Sequence, residues 1–300
     1  MKKCVNYILH PSRILLYLSN YGYFKWISDE IYLIIKYKLS MNRKLNLKNP
    51  LTFNEKLQWL KLYDRKKEYT TMVDKYLVRN YISKKLGEKY LIPLIGVYNN
   101  FDEINFETLP NQFVMKPNHT SGDIYICKNK NEIKIKKLRK LVNKWLKRNY
   151  YYIHREWPYK NVDKKIVIEQ FMGDNLADYK FMCFNGVVQY LFVCTERNTQ
   201  EGLHVTFFNK QFQKMSFIRK YPSTQKKIYK PTNYNQMIKF AELLSQNIKF
   251  VRVDFYEINN QLYFGELTFF PGSGYEKFSP ENYDLILGDL LHLNESGDLN

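Results

Sequence analysis

A chain of 300 residues, 45% of them apolar, suits one large or two to three small domains and can bury a core of ordinary size. Its formal net charge of +18 directs attention to nucleic acid, an anionic membrane surface or a polyanionic substrate, although a composition rich in Lys, Asn, Ile and Tyr also arises in low-GC genomes without any such partner. Cys4, Cys127, Cys183 and Cys194 stand far apart with no CxxC pair or zinc-site spacing, which argues against a zinc module and reads as reduced thiols of a cytosolic protein.

In chain order, the opening MKK is followed by polar and charged residues, with no small-residue cleavage pattern and no run near the roughly 18–20 apolar residues of a spanning helix. Neither export nor a transmembrane anchor is expected. Residues 1–49 alternate apolar, aromatic and basic side chains (ILHPSRILLYLSNYGYFKW, then EIYLIIKYKL), a pattern that suits helices packed on their own protein or lying on an anionic membrane. After Pro50, Thr52 and Glu55 stand in capping-box spacing, predicting a helix with Trp59, Leu60 and Tyr63 among its buried residues. The spacing of Met72, Tyr76, Val78, Ile82 and Leu86 predicts a second continuous helix ending at Gly87. LIPLIGVY reads as a short buried strand and NNFDEINFETLPN as a turn-rich linker.

From Gln112 the pattern becomes strand (FVMKP), loop (NHTSG) and strand (DIYICK), followed by the basic helix EIKIKKLRKLVNKWLKRNYYY and the strand KKIVIEQFM. Two further strands, DYKFMCF and VVQYLFVCTER, join at the hairpin signal Asn185-Gly186. A strand near LHVTFF, the helix NYNQMIKFAELLSQNI and a last hairpin, FVRVDFYEI to QLYFGELTFF turning at Asn259-Asn260, complete an α+β pattern without the rhythm of a Rossmann domain.

The last hairpin carries the strongest chemical signal. Alternation sends Arg252, Asp254 and Tyr256 to one face of its first strand, and Glu266 and Thr268 to one face of its second. Facing carboxylates need a compensating cation, and two hard oxygen ligands suit Mg²⁺, although surface carboxylates paired with lysines fit the spacing equally well. The glycine-and-hydroxyl turns PGSG (271–274) and NHTSG (118–122) have backbone N–H groups suited to phosphate, though such turns are common. Lys116, in the apolar strand before NHTSG, and Lys180, in DYKFMCF, either meet an anion or snorkel to solvent. His119 has no Ser or Cys partner and reads as a structural donor.

The order DKYLVR, FVMKPNHTSGD, IVIEQFM, DYKFMCFNG, RVDFY and GELTFFPGSG resembles the ATP-grasp superfamily, specifically its TupA-like branch of bacterial surface-polysaccharide gene clusters, from about Pro50 to the C-terminus. The resemblance implies an α+β ATP-grasp fold in which two subdomains grip ATP. Its expected divisions are a helical extension at 1–49, an amino-terminal region at 50–112, a lid at 113–172 and a metal-bearing core at 173–300. It also implies that Lys75 and Lys116, with Ser121 and Gly122 of the loop, bind the ATP phosphates, and that Glu169, Gln170, Phe171 and Met172 form the hinge that reads adenine. By the same resemblance Lys180 and Arg197 face the phosphates or an acyl phosphate, Arg252 stabilises charge on the reacting carbonyl, and Asp254, Glu266 and Thr268 hold magnesium. Thr268 stands where the superfamily commonly has asparagine, which leaves the number of ions open.

The implied activity is amide formation through an acyl phosphate, with a uronic acid or acidic glycan as the carboxylate and an amino acid or other amine as the nucleophile. An ATP-dependent sugar kinase and a polysaccharide-cluster glycosyltransferase are the alternatives. Basic residues interleaved with aromatics would also suit an RNA binder, but no RNP-like or helix-turn-helix motif is present and nucleic acid is not expected. The expected location is the cytoplasm, with peripheral contact between residues 1–49 and the inner membrane face.

Overall fold

The computed structural model describes residues 11–174, 176–196, 199–200 and 202–293. Its longer strands form two antiparallel sheets. The smaller has the order β1-β4-β2-β3, with β1 at Leu94–Tyr98, β2 at Phe113–Pro117, β3 at Tyr125–Cys127 and β4 at Ile166–Gln170. In the larger, with the order β10-β9-β5-β6-β7, the strands are β5 (Asp178–Phe184), β6 (Val187–Thr195), β7 (His204–Asn209), β9 (Phe250–Ile258) and β10 (Gln261–Thr268). A two-residue pairing joins β8 (Ile218–Arg219) to β11 (Phe278–Ser279).

Period-two alternation explains how each sheet divides its faces. In the smaller sheet Phe113, Met115, Ile166 and Ile168 pack against Leu138, Val142 and Trp145 of the Ile135–Lys147 helix, so Lys116 and Glu169 project from the other face. In the larger sheet the helix Tyr234–Leu244 covers the face that carries Phe181 and Cys183, which leaves Asp178 and Lys180 on the opposite one. The far end of that opposite face is closed by the helix Phe53–Tyr63, whose Phe53 ring lies 5.7 Å from Phe184 and 4.9 Å from Phe250.

The expected hairpins form. Asn185 and Gly186 both have positive φ, as do Asn259 and Asn260, the backbone that two-residue hairpins require. The capping box at Thr52 and Glu55 is also present, but Tyr63 at the end of that helix is 54% exposed rather than buried. LIPLIGVY supplies β1, a partly exposed edge strand rather than a buried one. It pairs with β4, so the small sheet recruits a strand from before residue 113. The basic helix stops at Lys147 because Arg148 is extended, and residues Tyr151–His154 form a separate turn. Cys127, Cys183 and Cys194 are buried and form no disulfide among the described residues.

The continuous helix expected over 69–87 is instead two, Glu68–Val73 and Val78–Lys85. Asp74 leaves the helical region (φ −72°, ψ 112°), and its Oδ1 accepts the N–H groups of Tyr76 at 2.8 Å and Leu77 at 3.1 Å. Its Oδ2 accepts from Asn118 Nδ2 at 2.9 Å, tying the break to the NHTSG loop. A side chain that satisfies first-turn donors competes with continuation of the preceding helix. Asp74→Ala should therefore lower stability by about 1–3 kcal/mol, read as a shift in the denaturant midpoint at unchanged slope. An unchanged midpoint would show that the break is held by packing alone.

Residues 1–10 lie outside the described residues. The helix Asp29–Met41 buries Tyr32, Leu33, Lys36, Tyr37 and Met41 against the protein, so packing on the chain itself accounts for one of its faces. Among the described residues no helix is long and apolar enough to cross a membrane.

Candidate active site

On the larger sheet, Lys180 of β5 lies directly opposite Asp254 of β9. Its ammonium contacts the Asp254 carboxylate and lies 2.7 Å from Asp178 Oδ2. Arg252, two residues before Asp254 on the same face, donates Nε to Asp254 Oδ1 and Nη2 to Oδ2, both at 2.7 Å. The same Nη2 donates to Glu266 Oε1 at 2.7 Å, and Thr268 Oγ1 donates to that oxygen at 3.2 Å.

Glu266 reaches this cluster through an irregularity in β10. Phe264 pairs with Phe255 and Leu267 with Val253, so Gly265 and Glu266 together oppose Asp254. This bulge keeps both Phe264 and Leu267 in the core while turning Glu266 and Thr268 to the Asp254 face. Gly265 eases the close approach at the crossing, because a Cβ there would come within 3.1 Å of the Asp254 carbonyl and 3.2 Å of its Cβ and push β9 aside by a few tenths of an ångström.

Removal from water works against ionising both carboxylates, fully for Asp254 and in part for Glu266, whose side chain is 36% exposed, and the basic groups divide the outcome. Asp254, fully buried, is pushed up to about 6 by burial against the pull of Arg252 and Lys180. For Glu266 burial is outweighed by Arg252, Lys180 and Lys75, with help from the Thr268 hydroxyl, and its pKa falls to about 2. The same carboxylates raise the pKa of Arg252 and of Lys180, despite burial, so both stay charged.

The smaller sheet supplies the opposite wall of a narrow cleft lined by Lys75, Arg79, Lys116, Glu169 and residues 264–267. Lys116 Nζ lies 2.5 Å from Glu169 Oε2, while Arg79 Nη1 holds Oε1 at 3.2 Å. Lys75 follows the break at Asp74. Its N–H donates to the Asn118 carbonyl at 3.2 Å, and its ammonium donates to the Thr120 carbonyl. Burial lowers the Lys75 pKa to about 8, partly offset by Glu266.

The family model for TupA-like ATP-grasp proteins matches residues 55–292. The chain belongs to the TupA-like ATP-grasp family. Its α+β architecture, with two sheets around a cleft, is accordingly the ATP-grasp fold. Similar solved structures include a D-alanine–D-alanine ligase from Bacillus anthracis complexed with ATP, at 15% identity and a TM-score of 0.41 over 74% of this chain and 63% of that one. Another is an N5-carboxyaminoimidazole synthetase from Staphylococcus aureus complexed with ADP, also at 15% and 0.41, over 66% of this chain and 44% of that one. The chain thus spans less than two thirds of the length of either. No curated protein is a significant match.

Within this ATP-grasp chain, Lys75, Lys116, Glu169 and Glu266 line one cleft, and Arg252, Thr268, Asp254 and Lys180 are joined to it through the hydrogen bonds and ion pairs that run from Glu266. The structure does not bring Gln170 and Phe171 there. Gln170 alternates to the other side of β4, its N–H donates to the Pro93 carbonyl at 3.0 Å, and with Phe171 it lines a separate surface recess. Met172 is half-buried and outside the cleft lining. Ser121 and Gly122 are exposed, with open space around Gly122, whose φ is +81°. Arg197 lies outside the described residues.

The PGSG turn is anchored from its inner side. Lys61 Nζ donates to the Ser273 carbonyl at 2.8 Å, Gln58 Nε2 to that of Gly274 at 3.0 Å, and the Ser273 hydroxyl lies 2.5 Å from Glu156 Oε1. That hydroxyl is buried and committed within the protein, which leaves it unsuited to phosphate. His119 contacts Asn118 Oδ1 at 3.1 Å and the Trp145 carbonyl at 3.0 Å, and burial lowers its pKa to about 4. It braces the loop, as its lone position in the sequence suggested. Arg79 and Asp178 are the site residues that sequence reasoning missed. Both lie inside quoted motifs, but Arg79 takes its role from Glu169, 90 residues away, and Asp178 takes its role from Lys180, with which it shares a face, a spacing that could have pointed to it.

Proposed function

We propose that this protein is an ATP-dependent carboxylate–amine ligase that forms an amide through an acyl phosphate. The observation that carries the reading is Arg252 Nη2, a cation 2.7 Å from both Asp254 and Glu266. Two carboxylates on adjacent strands converge on one position of positive charge, with the Thr268 hydroxyl beside it. That donor set fits magnesium, which accepts hard oxygens from a few side chains and completes its shell with water and phosphate. Among the described residues no group of three or more His, Cys, Asp or Glu is placed to hold a metal ion by itself. Asp254 and Glu266 would hold the metal, and its contribution when bound is to neutralise and orient the phosphates.

In the reaction, a substrate carboxylate oxygen bonds to the γ-phosphorus of ATP as the bond to the ADP oxygen breaks. An amine nitrogen then bonds to the acyl carbon, releasing phosphate and one proton. Lys75, Lys116 and Lys180 face charge that accumulates on phosphoryl oxygens, and Arg252 stands where the reacting carbonyl gains charge. Glu169 holds Lys116 and Arg79 in the cleft until nucleotide enters. The acceptor is an acidic glycan unit, such as a uronic acid of a surface-polysaccharide precursor, and the nucleophile is an amino acid or another amine. Family membership and the basic charge of the chain support that substrate class.

The test is ADP release with Mg-ATP, screening uronic-acid sugar nucleotides against a panel of amino acids and weighing the products. ADP that appears only with both partners, and a product heavier by the amine minus water, is the expected result. A phosphorylated sugar formed without amine would make the enzyme a kinase instead.

The Lys75 pKa of about 8 gives a pH signature. The side chain is charged below that pH and neutral above it, so ATP affinity should be level between about pH 7 and 8 and decline above it, whereas protonation of Asp254 weakens it below about pH 6. Lys75→Arg, charged throughout, should abolish the decline. A titration that stays flat in the unaltered protein from about pH 7 to about 9.5 would remove Lys75 from the phosphate site.

A further inference from the structure

The two N-terminal helices carry a surface that the active cleft does not explain. The helix Asp29–Met41 is fixed from its inner side, where Tyr32 Oη and Lys36 Nζ donate to the Ile153 carbonyl at 2.7 and 2.6 Å. The buried Arg155 guanidinium clamps the preceding loop through the carbonyls of Phe24 at 2.6 Å and Ile27 at 3.1 Å. On the outer side Ile31, Ile34 and Ile35, at helical spacing, are 54%, 40% and 44% exposed. The loop beside them exposes Tyr21, Tyr23 and Trp26, the last at 82%. Nine of the 22 exposed large hydrophobic side chains among the described residues fall between positions 14 and 35, so the exposure is concentrated rather than scattered.

Between the helix Pro11–Ser19 and the helix Asp29–Met41 runs an apolar groove of about 110 Å³, lined by residues that include Leu15, Leu16, Phe24, Ile27 and Leu39. Charge indicates what covers this face. Among the described side chains of residues 14–50, Lys25, Lys38, Arg43, Lys44 and Lys48 are exposed, against exposed Glu30 and half-buried Asp29. A second copy in a two-fold contact would set this positive surface against itself, which opposes association.

We propose that this face seats the protein on an anionic lipid bilayer. The helices lie along the surface, with Leu15, Ile31, Ile34 and Ile35 dipping toward the acyl chains. Tyr21, Tyr23 and Trp26 sit at headgroup level, where a ring with one apolar body and one polar end is favoured. The exposed Lys25, Lys38, Lys44 and Lys48 add attraction to acidic headgroups. Because the inner side is clamped to the protein body by Lys36 and Arg155, the contact would fix the orientation of the whole enzyme rather than tether it by a loose tail. The inference stands apart from the ligase reading, since it involves no residue of the cleft.

The test is cosedimentation of the full chain, without nucleotide, with phosphatidylcholine vesicles and with vesicles that also contain phosphatidylglycerol. The expected result is binding to the anionic vesicles, weakened by salt and accompanied by a blue shift of tryptophan emission. The double variant Ile31→Asp, Ile34→Asp should bind about tenfold less or weaker, with unchanged thermal unfolding because both side chains are exposed. A separate variant, Lys137→Glu with Lys144→Glu, removes the same amount of positive charge from the basic helix Ile135–Lys147, outside this face, and should retain most binding. The proposal is overturned if the unaltered protein ignores anionic vesicles, or if Ile31→Asp, Ile34→Asp binds them equally well. It is also overturned if only the Lys137→Glu, Lys144→Glu change abolishes binding. A dimer in solution that the isoleucine variant dissociates, without vesicle binding by either protein, would assign the face to a second copy.

Discussion

Glu266→Gln is expected to reduce ATP turnover by about 100- to 1,000-fold while leaving the melting temperature nearly unchanged. The two readouts separate because Glu266 occupies the open side of the cluster. Its side chain is 36% exposed and accepts one hydrogen bond from Arg252 and one from Thr268. Glutamine keeps an oxygen for those donors, and Arg252 retains both bonds to Asp254. What disappears is the negative charge with which the site would attract magnesium and orient phosphate. The stability cost should stay within about 1 kcal/mol, as for other partly exposed ion pairs. Steady-state turnover together with thermal unfolding checks both halves. Full activity in a folded variant would reject Glu266 as a metal ligand, whereas lost activity in an unfolded one would assign it a structural role.

Lys180→Met is expected to destabilise the protein by about 3–5 kcal/mol, the usual cost of removing one partner from a buried ionic group. Lys180 is 7% exposed and contacts both Asp178 and Asp254, the second of which is fully buried. Methionine fills similar volume but leaves the carboxylates with one cation fewer. Adding Asp254→Asn should recover part of the loss, since the amide carries no charge to compensate. The double variant would then fall by less than the sum of the single changes, a coupling expected of groups in direct contact. Denaturant unfolding of the four proteins checks this. A loss below about 1 kcal/mol in Lys180→Met would mean that water reaches the pair and replaces the ammonium.

Several elements were legible in the sequence because their causes are local. Asn185-Gly186 and Asn259-Asn260 specify turns through their tolerance of positive φ, and alternation then assigns faces to the adjoining residues. The same logic exposed Asp254 and Glu266 as facing carboxylates before any contact was known, and the order of motifs was enough to indicate the family. Local periodicity failed where two interactions competed. Met72 through Leu86 carries an unbroken helical pattern, yet Asp74 ends one helix and begins the next, held by Asn118 from 44 residues away. Gln170 lies in a quoted motif, but β4 is paired on both sides, and its N–H belongs to Pro93 rather than to the cleft.

The amino-acid sequence by itself determined the longer strands, their two-residue turns, the family and the kinds of charged group available, because propensity, alternation and turn chemistry act over a few residues. Tertiary structure alone decided which of those groups meet. The bulge at Gly265 and Glu266 appears only when β10 must keep Phe264 and Leu267 in the core while pairing with β9. Arg252 bridges two carboxylates 12 residues apart in the chain only because that pairing brings them together, and Glu169 joins Lys116 to Arg79 only across folded elements. Register and ion pairing depend on contacts between distant segments, and no short-range pattern encodes them.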